Sequence, residues 1–472
     1  MLKSKITNSY TLSKRDYFNT GDGVQLYPID IGHKHYIGLI SPDTAFWSLV
    51  KKSQINQALT SISFLRQFRK KEKSFLHEMN TLRFKLKPSA VYFNPTDRCN
   101  MNCSYCYIPD SLRKNGKHSS TQNILKTLET LQVYFKSSLP EKQRPQIVFH
   151  GAEPMLNKKA IFSALDKFGE YFRFGIQTNG TLLDKQNIDF LISKGISIGL
   201  SLDGHTAKVA NRLRKTWSRQ GVFQKVIEAM NHLRLRGYKN YSVICTVTRE
   251  NMSSLVKMVE FLHKMEVPVC ILNPVRCTLP EARKHKPLDS ELAKYYLEAL
   301  DCTYELYKKT GRKLIIANFA NILVSIIAPA GRRLMCDISP CGGGRCFFAI
   351  SSNGDLFPCS EFIGLKKFKG GNIFEDDINK VLESKPFKFV TKRSIENIDP
   401  CAHCSIRHFC GAPCPAEAYG LHGNIETRGA FCRFYEEQVR YAFCLIADGK
   451  ENAYLWDNWD KGMKATLGIT KF

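Results

Sequence analysis

Between Ala90 and about Thr310 the chain alternates six short β-branched or aromatic runs with longer helical patterns. Such alternation buries both faces of its strands only as repeated βα units around a parallel sheet. The strand candidates are Ala90–Asn94, Gln146–Phe149, Phe172–Gln177, Ser197–Leu202, Tyr241–Thr246 and Val267–Leu272, with helical stretches such as Ser120–Phe135, Val222–Arg236 and Asp289–Lys308 among them. Six units with right-handed crossovers predict an α/β fold, a partial (β/α)6 TIM-like barrel and not a closed eightfold one.

The flanks read differently. Val24–Asp30 and His35–Ser41 suggest two strands joined by a turn at Gly32, and Asp43–Val50 and Ser53–Lys70 suggest helices. Cys336 to Cys444 is rich in cysteine and glycine and poor in periodic runs, so something other than apolar burial must organise it. The expected organisation is a small N-terminal module over 1–85, the barrel over 86–315, a cysteine-rich domain over 316–448 and a tail over 449–472, in keeping with a length of 472 residues. The apolar run Leu314–Ala330 is interrupted by Asn318, Asn321, Ser325 and Pro329, so it predicts a buried helix and no membrane span.

The chain holds 17 cysteines. Met1 to Asp16 has no apolar core and no small-residue cleavage site, which predicts a reducing, cytoplasmic setting where thiols serve metal or redox chemistry. Directly after the first strand candidate, Cys99, Cys103 and Cys106 stand in C-x3-C-x2-C spacing. Such a loop can hold three corners of a cubane iron–sulfur cluster and leave the fourth iron open to a small chelating molecule. A structural zinc site needs four protein ligands, and only His118 stands near enough in sequence to be a fourth.

With Tyr107 following the third cysteine, this run resembles the signature of the radical SAM superfamily. Phe149-His150-Gly151-Ala152-Glu153-Pro154 resembles the family's Gly-Gly-Glu-Pro turn, with Ala152 in place of the second glycine, a change of one methyl expected to have little effect. The resemblance implies that Glu153 meets the amino group of S-adenosylmethionine (SAM), that the turn holding Thr178 and Asn179 and the turn holding Ser201 and Asp203 meet its ribose, and that Arg214 approaches its carboxylate. It also implies the chemistry: one electron from a reduced [4Fe–4S] cluster cleaves SAM to a 5′-deoxyadenosyl radical, which abstracts hydrogen from an unactivated carbon. A one-electron donor such as flavodoxin or ferredoxin is then required.

Farther on come Cys341, Gly354 and Cys359 in C-x12-G-x4-C spacing, Cys401, Cys404, Cys410 and Cys414 in C-x2-C-x5-C-x3-C spacing, and Cys432. These resemble the SPASM domain of radical SAM enzymes that modify peptides and proteins. Carried over by position, Cys341, Cys359 and Cys414 hold a first auxiliary [4Fe–4S] cluster, with Cys346 as its expected fourth ligand and Cys336 as the alternative. Cys401, Cys404, Cys410 and Cys432 hold a second. Cys245, Cys270, Cys277, Cys302 and Cys444 lie outside every motif and are expected to be small core residues.

Sulfatase maturases of this family carry an Asp directly after the cysteine that matches Cys359, whereas this chain reads Cys359-Ser360-Glu361. On an extended segment Glu361 would turn to the opposite face, which favours a peptide maturase installing a thioether or other cross-link over formylglycine formation. The N-terminal hairpin resembles elements that grip a precursor's leader by strand addition. The net charge of +26, lowered by only about five units by three clusters, suits an acidic leader. The expected partner is therefore a precursor peptide or protein, with no membrane. A zinc-bearing nucleic-acid-binding protein is the non-enzyme alternative that charge and cysteine count alone would allow.

Overall fold

In the computed structural model, which describes residues 18–19, 25–41, 43–411, 414–457 and 459–460, the N-terminal module is a four-stranded antiparallel sheet. It comprises β1 (Phe18–Asn19), β2 (Gln25–Ile29), β3 (Tyr36–Ile40) and β4 (Trp47–Lys51), in sequence order. The expected hairpin is thus present as β2 and β3, but Asp43–Val50, expected as a helix, is not helical. Ala45 lies in the left-handed region at φ 64°, which redirects the chain into β4. Pairing of Trp47 with Ile40 and Val50 with Ile37 then buries Trp47, Ser48, Leu49 and Val50 together. An apolar run this short carries no decisive period, so the neighbouring strand sets its conformation. The Trp47 indole also donates to the Ile326 carbonyl at 2.7 Å and meets Phe443 edge-on at 5.1 Å, tying the module to the C-terminal half. Two helices follow, Ile55–Thr60 and Ile62–Asn80, and the hydroxyl of Ser61 caps the second through the Phe64 amide at 3.3 Å.

The six expected strands are all present, their ends within two residues of the sequence reading, as β5 (Ala90–Phe93), β6 (Gln146–Phe149), β7 (Arg173–Thr178), β8 (Ser197–Ser201), β9 (Tyr241–Val247) and β10 (Val269–Pro274). They lie side by side in chain order, all parallel, and β11 (Ile315–Ile316) extends them as a seventh. At the other edge β12 (Phe347–Ile350), from the cysteine-rich region, pairs in parallel with β5, and β13 (Asp355–Phe357) and β14 (Gly371–Asn372) continue antiparallel. One ten-stranded sheet therefore runs through both the barrel and the C-terminal region.

Alternation along the strands separates two faces. Val91, Phe93, Ile147, Phe149, Ile176, Leu200, Val243 and Leu272 pack into the main core with the crossover helices, while Gln177, Ser201, Ile244, Thr246 and Asn273, at intervening positions, line a cavity. The run Leu314–Ala330 contains the helix Ala317–Ile327, buried at every residue except Asn318. Among the described residues no helix is long and apolar enough to cross a membrane.

The Gly151-Ala152 turn after β6 departs from the expected mild substitution. Gly151 has φ 73° and its backbone lies so close to Asn94 that a Cβ would stand 2.2 Å from that side chain. Ala152 has φ 36°, so its methyl imposes a backbone penalty, not just a small volume change. Ala152→Gly is expected to stabilise the protein by about 1 kcal/mol, read as an upward shift in the unfolding midpoint of the metal-free protein.

Candidate active site

The loop that follows β5 is pinned from three sides. Arg113, 3% exposed, donates to the carbonyls of Met101 (3.0 Å) and Ile108 (3.0 Å) and to Asn102 Oδ1 (3.2 Å). Trp217 donates its indole N–H to the Cys99 carbonyl at 2.8 Å, and its ring lies 5.3 Å from the Arg113 guanidinium. Asn179 donates to Asn100 Oδ1 at 2.8 Å, fastening the turn after β7 to the same loop. Held this way, Cys99, Cys103 and Cys106 line a cleft with about 1130 Å3 of empty space, open on one side, together with Tyr107, Thr178, Asn179, Ser201 and Arg214.

Glu153 and Asp203 do not line that cleft. Glu153 is fully buried, and its carboxylate accepts from Thr178 Oγ1 at 2.6 Å, the Asn179 amide at 2.7 Å and the Met155 amide at 3.1 Å. Burial raises its pKa against those donors. Its direct effect is to fix the turn that faces the cleft. Asp203, 2% exposed, accepts from the Thr246 amide at 2.9 Å and from the Tyr105 hydroxyl, and lies 3.6 Å from Arg214 Nη1. Arg214 in turn donates to the Tyr105 hydroxyl at 2.7 Å, while its buried Nε has no partner within the protein. Tyr105, between two of the cysteines, therefore couples the cysteine loop to β8 and β9, and sequence reasoning passed over it.

The thiols are well shielded. Burial pushes Cys99 up to about 12 and Cys103 up to about 11, with Arg214 opposing the rise at Cys103. Ligation therefore requires proton release as metal enters. Among the described residues no three His, Cys, Asp or Glu side chains close to the spacing of a single ion's shell. A cubane, whose corner thiolates stand farther apart than four ligands on one zinc, does not need such closure. Three thiols at the mouth of a cleft with an unfilled guanidinium behind them fit a cluster that also takes a carboxylate-bearing ligand.

The same cleft holds two residues the sequence did not single out as cavity residues. Ser360–Phe362 forms a short 3-10 turn, not the extended segment expected, and it brings Glu361 into the cleft. Burial raises the Glu361 carboxyl to about 7 against the pull of Arg276, and its buried Oε2 has no partner within the protein. Arg276, just beyond β10, lines the cleft as well. The charge on Glu361 acts on Cys106 and Tyr107 on one side and on Cys359 and Cys414 on the other, so this carboxylate stands between two cysteine groups.

Cys341, Cys359 and Cys414 pack against one satellite core with Phe357, Phe362 and Phe368, and Gly343 separates the first two: its amide donates to Cys341 Sγ at 3.4 Å. Cys401 begins a 3-10 turn, Cys410 ends the helix Arg407–Cys410, and Cys432 begins the helix Cys432–Asp448. Asp289 caps that last helix from the barrel, accepting from the amides of Arg433 at 2.9 Å and Phe434 at 2.7 Å. Burial raises the thiols of Cys401 and Cys404, and the charge of Cys432 adds to the rise at both. Cys245, Cys270 and Cys277 are buried core residues.

A family model described as the radical SAM superfamily matches residues 93–262, and one described as an iron–sulfur cluster-binding domain, SPASM, matches residues 341–405. The chain is 36% identical over 424 residues, 90% of its own length and 95% of the relative's, to an uncharacterized protein of Archaeoglobus fulgidus. It is 25% identical over 384 residues, 78% of its length and all of the relative's, to the cysteine-type anaerobic sulfatase-maturating enzyme of Clostridium perfringens. Among solved structures it resembles anSMEcpe with bound AdoMet, at TM-score 0.69 and 20% identity over 81% of this chain and all of that one. It also resembles Streptococcus suis SuiB bound to its precursor peptide SuiA, at TM-score 0.57 and 17% identity over 80% of this chain and 87% of that one.

Proposed function

Because the chain belongs to the radical SAM superfamily and carries a SPASM iron–sulfur cluster-binding domain, it is an enzyme of SAM and [4Fe–4S] clusters, and we propose that it modifies a ribosomally made peptide or protein. The observation that carries this reading is a single cleft lined by Cys99, Cys103, Cys106 and Arg214 together with Arg276 and Glu361. Bound together, SAM and the reduced cluster supply one-electron cleavage and hydrogen abstraction.

The protein's own residues orient the reactants. Arg214, held by Tyr105 and Asp203, offers its remaining N–H groups to the SAM carboxylate. Glu153 sets Thr178 and Asn179 against the cofactor's sugar. Arg276 and Glu361 present a donor fork and an acceptor to the carbonyl and N–H groups of a peptide segment, and the open side of the cleft admits that segment. The similarity to SuiB with its precursor peptide and to anSMEcpe supports a peptide substrate. A thioether or other cross-link is the primary reading, because a serine, Ser360, and not an acid follows Cys359. Formylglycine formation is favoured by one feature, the entry of Glu361 into the cleft, where it can stand in for the acid that follows the cysteine in sulfatase maturases.

Cys401, Cys404, Cys410 and Cys432 are assigned to the second auxiliary cluster, and Cys341, Cys359 and Cys414 to the first. Its fourth ligand is assigned to Cys336 instead of the expected Cys346. The Gly342 amide donates to the Met335 carbonyl at 3.0 Å and closes the loop that holds Cys336 and Cys341 near its two ends, with Cys336 in electrostatic reach of Cys359 as well.

The anaerobically reconstituted protein is expected to carry about 12 irons in three cubane clusters and to form 5′-deoxyadenosine from SAM and a reductant. Mass spectrometry of candidate precursor peptides after incubation identifies the product, and aldehyde-selective labelling separates formylglycine from a cross-link. Stoichiometric zinc with no 5′-deoxyadenosine would sink the proposal.

A further inference from the structure

A second cleft, with about 1200 Å3 of empty space, opens at the other end of the sheet. Ala90 and Gln146, the first residues of β5 and β6, lie in its wall, whereas the cysteine loop of the active site follows the last residue of β5. Lys85, Lys87, Arg332 and Arg333 line it, and no Asp or Glu does. Lys85, Lys87 and Arg333 are exposed. Among the described residues none of the three has a carboxylate within ion-pair distance. Arg332 is 7% exposed; its terminal nitrogens donate to the carbonyls of Asp337 (2.8 Å) and His408 (2.9 Å), but its buried Nε has no partner within the protein. Cys336, an exposed thiol, lies in the same wall, as does the buried Cys346.

We propose that this cleft docks a small acidic one-electron carrier and passes its electron to the first auxiliary cluster through Cys336. The inference rests on the assignment of Cys336 to that cluster. The exchange is a bare electron transfer: the carrier is oxidised by one electron, the cluster is reduced by one, and no bond or proton changes place. Position separates this occupant from an acidic leader peptide. A leader must deliver its core segment to the mouth lined by Cys99 to Cys106, while the cleft lies at the opposite strand ends. An electron carrier needs only to approach a cluster ligand, and Tyr92, midway along β5, lines the cleft with Cys336 and packs against the same satellite core as Cys341, Cys359 and Cys414. Complementary charge at such a site raises the association rate and makes it fall with salt.

The test uses reduced flavodoxin and a plant-type ferredoxin as probes of the full-length reconstituted protein. Binding is read by calorimetry, and 5′-deoxyadenosine formation is driven separately by flavodoxin and by dithionite. The Lys85→Glu/Lys87→Glu variant is expected to bind the carriers at least about tenfold more weakly and to lose flavodoxin-driven turnover in proportion, with dithionite-driven turnover unchanged. Lys225→Glu/Lys264→Glu, two exposed lysines on outer helices, should change neither. Unaltered carrier binding in the cleft variant would overturn the proposal, as would weakened binding of polyglutamate with carrier binding intact. Absence of dithionite-driven turnover in the parent protein would instead strike at the radical SAM reading, since that reductant needs no docking site.

Discussion

Alanine at Cys99, Cys103 or Cys106 is expected to take 5′-deoxyadenosine formation below detection and to remove about four irons per chain. Loss of an outer-shell partner typically costs 10- to 100-fold in metal affinity or activity, and removal of one of three direct ligands must cost more. The reason is geometric as well as chemical. Arg113, Trp217 and Asn179 hold the loop through contacts to Met101, Ile108, the Cys99 carbonyl and Asn100, and only the weaker approaches of the Met101 amide (3.4 Å) and Asn179 Nδ2 (3.9 Å) to Cys99 Sγ involve a thiol. A truncated cysteine therefore leaves the loop in place with a missing corner, and nearby Glu153 and Asp203 are committed elsewhere and cannot move in as substitutes. The companion variants divide the remaining thiols. Cys336→Ala should also lose about four irons while retaining SAM cleavage driven by dithionite, whereas Cys346→Ala should keep its full complement. Iron analysis and product chromatography on the same preparations decide both points, and wild-type turnover in Cys99→Ala would refute the assignment.

The parallel sheet was legible because each buried strand is a short apolar run followed by a long amphipathic helix, and that contrast survives in sequence. The conformation of Trp47–Lys51 was not, because four adjacent buried residues show no period and their pairing with β3 is a tertiary fact. The attachment of β12 to β5 is equally invisible, since some 250 residues separate them and nothing local marks a shared edge. At the site, spacing picked out the thiols and the strand-end turns. It placed Glu361 wrongly because an extended segment was assumed where a 3-10 turn reverses the side chain's direction. Arg276 could have been found by the same rule that singled out Ser201, namely its place at or just past the C-terminal end of a barrel strand. Arg113 had no signal: its value lies in three contacts to one loop that only the fold assembles.

Asp203→Ala is expected to cost about 3–5 kcal/mol of stability and to raise the KM for SAM. With the carboxylate gone, the Thr246 amide and the Tyr105 hydroxyl lose their acceptor, and Arg214, 7% exposed, loses its anionic neighbour. A buried cation left without its partner is costlier than the pair was favourable, because the desolvation remains while the attraction is gone. Asp203→Asn keeps an oxygen for the Thr246 amide and should lose less stability, yet it still removes the charge that steadies Arg214. The two readouts separate two roles for Asp203. If it acts by positioning Arg214, both variants lower the unfolding midpoint of the metal-free protein and weaken SAM binding in the same order, alanine more than asparagine. If it instead met the ribose directly, SAM affinity would fall with the stability of the asparagine variant untouched. Its place behind the cleft wall, with both oxygens already engaged by Thr246 and Tyr105, argues for the first outcome.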